Sequence, residues 1–123
     1  MPQRKKIKKS VLIVEDDPGI RDTLQHLLEA EGYTVFLAEH GKDGLELLRR
    51  MAPPCAILLD IQMPVMDGYE FLREKNADPA IAEVPVVVLS ATAEAKDLNG
   101  AADFIRKPFS IPQLLKAVER HCC

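Results

Sequence analysis

Several features that define other protein classes are scarce or missing in this sequence of 123 residues. Cysteine occurs three times, as Cys55, Cys122 and Cys123, without CxxC spacing, so we expect neither a disulfide framework nor a zinc site. No apolar run approaches the roughly 18–20 residues of a membrane span, and no segment resembles a secretory signal. We therefore expect a reduced cytoplasmic protein in which Cys55 is a small core residue.

Basic residues are concentrated at the start of the chain. The first ten residues carry no acids and five basic groups, Arg4, Lys5, Lys6, Lys8 and Lys9. Subtracting these five from the overall net charge of −3 leaves −8 for the rest of the chain. A basic arm can bind nucleic acid or an anionic surface, but no aromatic residue interleaves the lysines, which favours a solvated tail. We assign residues 1–9 to a tail and 10–123 to one domain that itself binds neither membrane nor nucleic acid.

Short apolar runs alternate along the chain with amphipathic stretches of helical period. The apolar runs predict five strands, at Val11–Val14, Thr34–Ala38, Cys55–Leu59, Val84–Ser90 and Ala102–Lys107. Helices are predicted after the cap Asp17-Pro18, around Leu45–Met51, from Gly68 to about Lys75, and after the cap Ser110. Strands that are apolar on both faces and separated by helices are typical of a covered parallel sheet. The sequence therefore predicts an α/β domain with a doubly wound five-stranded parallel sheet.

The crossover between the fourth and fifth predicted strands is short. Residues 92–102 must connect two parallel strands, a task that takes about 10–12 residues at least. The stretch AEAKDL leaves room for one or two helical turns before Asn99-Gly100 supplies a turn. We therefore predict a shortened or missing fourth helix.

Polar residues with complementary chemistry stand at the carboxyl ends of four predicted strands. They are Glu15, Asp16, Asp60, Ser90 and Lys107. In a doubly wound sheet, ligands bind beyond these ends at a topological switch point. Three acids cannot share a buried site unaided, so we expect a divalent cation between them and the lysine as a second counter-charge.

The chemistry that this set favours is phosphoryl transfer to a carboxylate. A hard cation, a lysine and a hydroxyl around Asp60 neutralise and orient phosphoryl oxygens. A nucleotide or flavin site needs a glycine-rich loop after the first strand, whereas Glu15-Asp16-Asp17 repels phosphate. An aspartyl-phosphate phosphatase of another α/β family needs an acid two positions after its nucleophile, where this sequence has Gln62.

Four motifs resemble those of bacterial response-regulator receiver domains. They are VLIVEDD, LLDIQMPVMDG, LSA and FIRKPF, in the family's order over residues 10–123. The resemblance implies a flavodoxin-like receiver fold and a cytoplasmic role in two-component phosphorelay signalling. It implies that Asp60 accepts a phosphoryl group from a sensor histidine kinase or phosphotransfer protein. Such a domain catalyses only its own phosphorylation and dephosphorylation, and phosphorylation changes its binding to a downstream target or an effector domain outside this chain.

The resemblance also implies a metal site. Glu15, Asp16 and Asp60 are expected to bind Mg²⁺ (or Mn²⁺) together with the backbone carbonyl of Gln62. The alternative for the acids at the first strand end is a solvated turn, and Asp17, next in sequence, is expected to cap the following helix.

The remaining roles implied by the resemblance concern the phosphorylated state. Lys107 is expected to contact the phosphoryl group, with a cis peptide bond before Pro108. Ser90 is expected to be the switch hydroxyl, and Phe104 the aromatic side chain that turns inward when Ser90 moves. The alternative role for Phe104 is that of an ordinary core residue.

A second function of a different class remains open on the sequence. A pseudo-receiver of the same fold acts as a constitutive protein-binding module, and the short crossover is compatible with this alternative. The complete set of acids, hydroxyl and lysine favours the phosphorylation switch. The sequence is compatible with a stand-alone receiver and with a domain of a larger protein.

Overall fold

The computed structural model describes residues 9–61, 68–91 and 100–122. Strands and helices alternate along them in the order β1 (Ser10–Val14), α1 (Pro18–Ala30), β2 (Thr34–Ala38), α2 (Gly41–Arg50), β3 (Ala56–Asp60), α3 (Gly68–Asn76), β4 (Val86–Ser90), β5 (Asp103–Arg106) and α4 (Ile111–Cys122). The five strands form one sheet in the order β2-β1-β3-β4-β5, and every neighbouring pair is parallel. The predicted doubly wound α/β fold is confirmed.

Local sequence sets where the first helix begins and ends. The Asp17 carboxylate accepts hydrogen bonds from the N–H groups of Gly19 (2.8 Å) and Ile20 (3.1 Å), so it caps α1 as predicted. Pro18 occupies the first turn, where its missing N–H does no harm. The helix stops just before Gly32, whose φ of 95° lies in the left-handed region that favours glycine.

Successive strand residues point into two different apolar cores. Leu12 and Val14 of β1 pack with α2 and α3, whereas Val11 and Ile13 pack with α1 and α4. All four of these side chains are fully buried. The alternation explains why β1 is apolar at every position, because the sheet is covered on both faces.

Several predicted strand boundaries differ from the structure by one or two residues. β1 begins one residue earlier than expected, β3 begins one residue later, and β5 is one residue shorter at each end. β4 begins at Val86, two residues later than expected, because Pro85 has no N–H to donate to a ladder; its carbonyl still accepts a hydrogen bond from Ile57 N–H at 2.9 Å. β3 extends one residue further than expected and includes Asp60.

The short crossover from β4 to β5 is described only at its ends. Ala91 and residues 100–102 form no helix, and residues 92–99 lie outside the described residues. The chain rejoins the sheet where Ala102 N–H donates to the carbonyl of Val86 at 2.8 Å. Four helices in the described part of the chain are consistent with a shortened fourth crossover helix.

The expectation that the chain contains no disulfide is wrong for one pair of cysteines. Cys55, directly before β3, and Cys122, the last residue of α4, are joined by a disulfide with their Cα atoms 5.0 Å apart. The two cysteines are 67 positions apart in sequence, and only the packing of α4 over the start of the central strand brings them together. Spacing rules for cysteine cannot detect a pairing of this kind.

Within residues 9–61, 68–91 and 100–122, no helix has the length and apolar character needed to cross a membrane.

Candidate functional site

The candidate site lies at the point in the sheet where the strand order reverses. β1 pairs with β2 on one side and with β3 on the other, so the crevice between the carboxyl ends of β1 and β3 is a topological switch point. Glu15 follows the last residue of β1, and Asp60 is the last residue of β3. The fold therefore places the two acids on neighbouring strand ends.

The structure brings together the three acids that the sequence predicted. One carboxylate oxygen from each of Glu15, Asp16 and Asp60 lies within 4.8 Å of the others. Glu15 and Asp60 are buried, 1% and 7% exposed, whereas Asp16 is exposed. Burial of the carboxyl and the negative charge of Asp60 raise the pKa of Glu15 from 4.5 to about 7. Glu15 Oε1 is buried and accepts no hydrogen bond within the described part of the chain. A hard divalent cation fits this oxygen-rich, charge-repelling set.

Lys107 supplies the positive charge nearest to these acids. Its Nζ lies 3.5 Å from Oδ1 of Asp60 and 3.9 Å from Oε1 of Glu15. The backbone N–H of Lys107 donates to the carbonyl of Ser90 at 2.7 Å, which fixes the lysine at the end of β5. The peptide bond from Lys107 to Pro108 is cis, as predicted.

The two predicted switch residues lie on the adjacent strands β4 and β5. Asp60 pairs in register with Leu89, so Ser90 stands one residue beyond it on β4 and is 1% exposed. Phe104 on β5 is half-buried and packs against the core shared with α2 and α3. Gln62, predicted to offer its backbone carbonyl, lies outside the described residues.

Reasoning from the sequence missed Arg21, which holds the acidic turn in place. Its Nη1 donates to the backbone carbonyl of Glu15 at 2.9 Å, and the N–H of Asp17 donates to Glu15 Oε2 at 3.2 Å. The available signal was an arginine in the first turn of the helix that follows the acids. Both contacts orient the Glu15 main chain and carboxylate.

Gly68 was predicted only as a helix start, yet it also closes the loop after Asp60. Its N–H donates to the carbonyl of Ile61 at 2.9 Å. A Cβ at position 68 would lie 2.7 Å from the Cα of Ile61, which no ordinary packing allows. The missing side chain therefore lets the two ends of this loop meet.

An apolar groove of about 850 Å³ opens beside the acids. It runs from Ile20, Leu24 and Leu27 on α1 to Phe109 and Ile111, and Lys107 stands at its edge. Ile111 is 50% exposed, so the groove ends in an apolar side chain that reaches solvent.

Comparisons with known proteins agree on one family. Residues 11–119 match the model of the response regulator receiver domain. The chain is 34% identical to the DNA-binding dual master transcriptional regulator RpaA of Synechocystis sp., an alignment covering 88% of this chain and 46% of that protein. It is 34% identical to an uncharacterized 14.6 kDa protein of Leptolyngbya boryana, covering 91% of this chain and 88% of the other. The chain thus spans about half of RpaA but most of the smaller relative.

Solved structures with similar sequences share the same fold. Chemotaxis protein CheY4 of Vibrio cholerae superposes with a TM-score of 0.84 at 30% identity, covering 94% of this chain and 99% of that one. The receiver domain of the sensor histidine kinase PA1611 from Pseudomonas aeruginosa, solved with magnesium coordinated in its active site cleft, gives a TM-score of 0.82 at 29% identity. That alignment covers 94% of this chain and 98% of the other.

Proposed function

Because this chain belongs to the receiver-domain family of response regulators, we propose that it is a signalling switch that accepts a phosphoryl group on Asp60. A receiver domain is a signalling module of two-component systems and not an enzyme that acts on an external product. The observation that carries the proposal is the buried carboxylate of Asp60 with a lysine ammonium 3.5 Å away and two further acids beside it.

The proposed reaction is an in-line displacement at phosphorus. An Oδ atom of Asp60 attacks the phosphoryl group of a phosphohistidine, the new O–P bond forms, and the N–P bond to the donor imidazole breaks. The acyl phosphate adds nearly one to two negative charges at this position. Lys107 offsets that charge from its place beside Asp60, and in this proposal the Ser90 hydroxyl donates a hydrogen bond to a phosphoryl oxygen.

The residues that would hold Mg²⁺ or Mn²⁺ are Glu15, Asp16 and Asp60, with Gln62 adding a backbone carbonyl. The buried, unbonded oxygen of Glu15 and its raised pKa support this assignment, because both indicate a carboxylate that needs a cation. When bound, the ion supplies charge neutralisation for the phosphoryl oxygens.

A sensor histidine kinase or phosphotransfer protein is the proposed donor, and the apolar groove is its proposed docking surface. A donor must deliver its phosphohistidine at the edge of the sheet where Asp60 lies, and the groove flanks that edge. Ile111→Lys should slow phosphotransfer from a histidine phosphotransfer protein while leaving the reaction with acetyl phosphate unchanged. Equal effects on both reactions would place the docking surface elsewhere.

The remaining parts of the proposal concern output and setting. Residues 10–123 form the receiver and residues 1–9 a basic tail. Phosphorylation alters the binding of a protein target or of an effector domain not in this chain, with Ser90 and Phe104 as the switch residues. The setting is the cytoplasm, and the domain itself contacts neither membrane nor nucleic acid.

The experiment is incubation with acetyl phosphate followed by intact-mass analysis. The wild type should gain one phosphoryl group when Mg²⁺ is present and none when the metal is chelated. Asp60→Asn should gain none under either condition. If the wild type takes up no phosphoryl group with Mg²⁺, the phosphorylation switch is wrong and the pseudo-receiver is favoured.

A further inference from the structure

The disulfide joins the start of the strand that ends in Asp60 to the end of the helix that follows Lys107 in the chain, on the side of the sheet opposite that charged pair. Cys55 directly precedes β3, which ends in Asp60, and Cys122 ends α4, which begins four positions after Lys107. The crosslink therefore ties the far ends of the segments that present the acceptor and the lysine.

The two cysteines differ in their exposure to solvent. Cys122 is 3% exposed and belongs to the core between the sheet, α1 and α4. Cys55 is half-buried, at the end of the loop that follows α2. A co-reactant in solution therefore has better access to Cys55 than to Cys122.

Contacts other than the sulfur–sulfur bond also hold the two cysteines close together. The Cα atoms are 5.0 Å apart, within the range of about 4.4–6.8 Å that disulfides require. Cys55 is held independently of the sulfur, because its N–H donates to the carbonyl of Ser10 at 2.8 Å. Leu114, Ala117 and Val118 seat α4 in the same core. Both cysteines are therefore also anchored by contacts that do not involve their sulfur atoms.

We propose that Cys55 and Cys122 form a reversible thiol–disulfide pair that reacts with a low-molecular-weight disulfide of the glutathione class. Disulfides of proteins in a reducing compartment are transient and redox-sensing more often than structural, so the inference rests on the cytoplasmic setting of the proposed function. Oxidation fixes the end of α4 to the start of β3, and reduction releases it.

The exchange proceeds in two balanced steps. The Cys55 thiolate attacks one sulfur of oxidised glutathione, so that a mixed disulfide forms and one glutathione thiolate leaves. The Cys122 thiolate then attacks the Cys55 sulfur, which forms the protein disulfide and releases the second glutathione. The two electrons lost by the cysteines reduce one glutathione disulfide, and the two protons lost by the protein thiols are taken up by the two glutathione thiolates.

Thiol counting in glutathione buffers tests the proposal. Native protein is equilibrated from mostly reduced to mostly oxidised glutathione, quenched with N-ethylmaleimide and weighed intact. We expect a smooth transition that protects two thiols in the wild type and in Cys123→Ser, and none in Cys55→Ser. In Cys122→Ser/Cys123→Ser, one glutathione should remain bound to Cys55.

Thermal unfolding of the same samples measures what the bond does. Closing a loop of 67 residues should raise the Tm of the oxidised protein by on the order of 10 °C over the reduced protein. The comparison uses one sequence in two redox states, so it does not depend on whether a variant folds. Cys123→Ser should show the same difference as the wild type.

Three results would overturn the inference. They are a pair that stays reduced in every buffer, a pair that stays oxidised in every buffer, and redox states with equal Tm. Repeating the titration on Asp60→Asn separates this inference from the proposed phosphorylation, because thiol exchange does not need that carboxylate.

Discussion

At the scale of single residues, the candidate site is a balance between acids and one lysine. Glu15 and Asp60 are almost completely buried, and the Lys107 ammonium lies within 4 Å of an oxygen of each. Three carboxyl groups and one ammonium leave an excess of negative charge, and two of the three carboxyl groups are shielded from solvent. In the proposed reaction, a divalent cation and a phosphoryl group would change that balance in opposite directions.

Asp16→Asn should weaken metal binding while leaving the apo fold intact, because the side chain is exposed. At a Mg²⁺ concentration about tenfold above Kd, the wild type should gain about 1.4 kcal/mol and roughly 3–5 °C in Tm. The variant should gain less than half of that shift in a thermal melt. Asp22→Asn, an exposed acid on α1, is the control and should respond as the wild type does. Equal shifts in all three proteins would show that the metal binds elsewhere.

Lys107→Ala should bind Mg²⁺ more tightly than the wild type. The lysine charge repels a cation from two of its three proposed carboxylate ligands, so removing it should lower Kd roughly tenfold. Isothermal titration calorimetry measures the change, and Lys116→Ala, an exposed lysine on α4, should leave Kd unchanged. Affinity that stays equal or falls would mean that the lysine does not act on the metal site.

At the scale of elements, short contacts link the strands that lead to the site with the helices that follow them. The carbonyl of Ile61 meets the N–H of Gly68, which fixes the start of α3 directly behind the end of β3. Asp103 at the start of β5 is paired with Arg120 near the end of α4, 2.6 Å from Nη2. The first contact involves β3, the strand that ends in Asp60, and the second involves β5, the strand that leads to Lys107.

Gly68→Ala should destabilise the protein although alanine is the better helix former. The new Cβ meets the main chain of Ile61, and the overpacking should cost about 1–3 kcal/mol in urea unfolding. Gly19→Ala is the matched control, because a Cβ in the first turn of α1 meets only the Asp17 carboxylate, at 3.3 Å. Similar stability of the two variants would contradict the close approach.

Arg120→Gln should make the free energy of unfolding depend less on pH in the acid range. Burial opposes ionisation of Asp103, but hydrogen bonds from Arg120 and from Phe104 N–H outweigh it and hold the pKa of Asp103 below its ordinary 3.8. The resulting stabilisation is present above pH 3.8 and disappears as the pH falls through the lowered pKa.

Because Arg120 is largely exposed, the variant should lose only about 0.5 kcal/mol at pH 7. The difference from the wild type should vanish at the acid end of a series of urea titrations. His121 also faces Asp103, at 3.4 Å. The control is Arg73→Gln, which removes an exposed arginine elsewhere. A difference independent of pH would contradict the role of Asp103.

At the scale of the whole molecule, the sequence allowed the fold to be predicted because each strand and helix carries its own local signal. Apolar runs, the Asp17 cap and the left-handed Gly32 each determine a boundary without help from distant residues. The acid cluster was predictable for a related reason, since parallel strands bring their carboxyl ends to one edge.

The features that the sequence did not reveal all depend on tertiary packing. The Cys55–Cys122 bond needs α4 to lie over the start of β3, and the Arg21 contact needs α1 to point its first turn at the acidic loop. The close approach of Gly68 to Ile61 likewise appears only once β3 and α3 are packed. Only Arg21 has a local signal, its place in the first turn of the helix after the acids, and that signal does not show which group the arginine contacts.

The most direct test of the account is to locate the phosphoryl group on the chain. After reaction with acetyl phosphate and Mg²⁺, borohydride reduces an aspartyl phosphate to homoserine, which tandem mass spectrometry of peptides can assign to one position. We expect homoserine at position 60 and no reduced acyl phosphate at Glu15 or Asp16. Homoserine at position 16, hydroxynorvaline (the reduction product of a glutamyl phosphate) at position 15, or a phosphoryl adduct that leaves Asp60 unmodified would contradict the assignment.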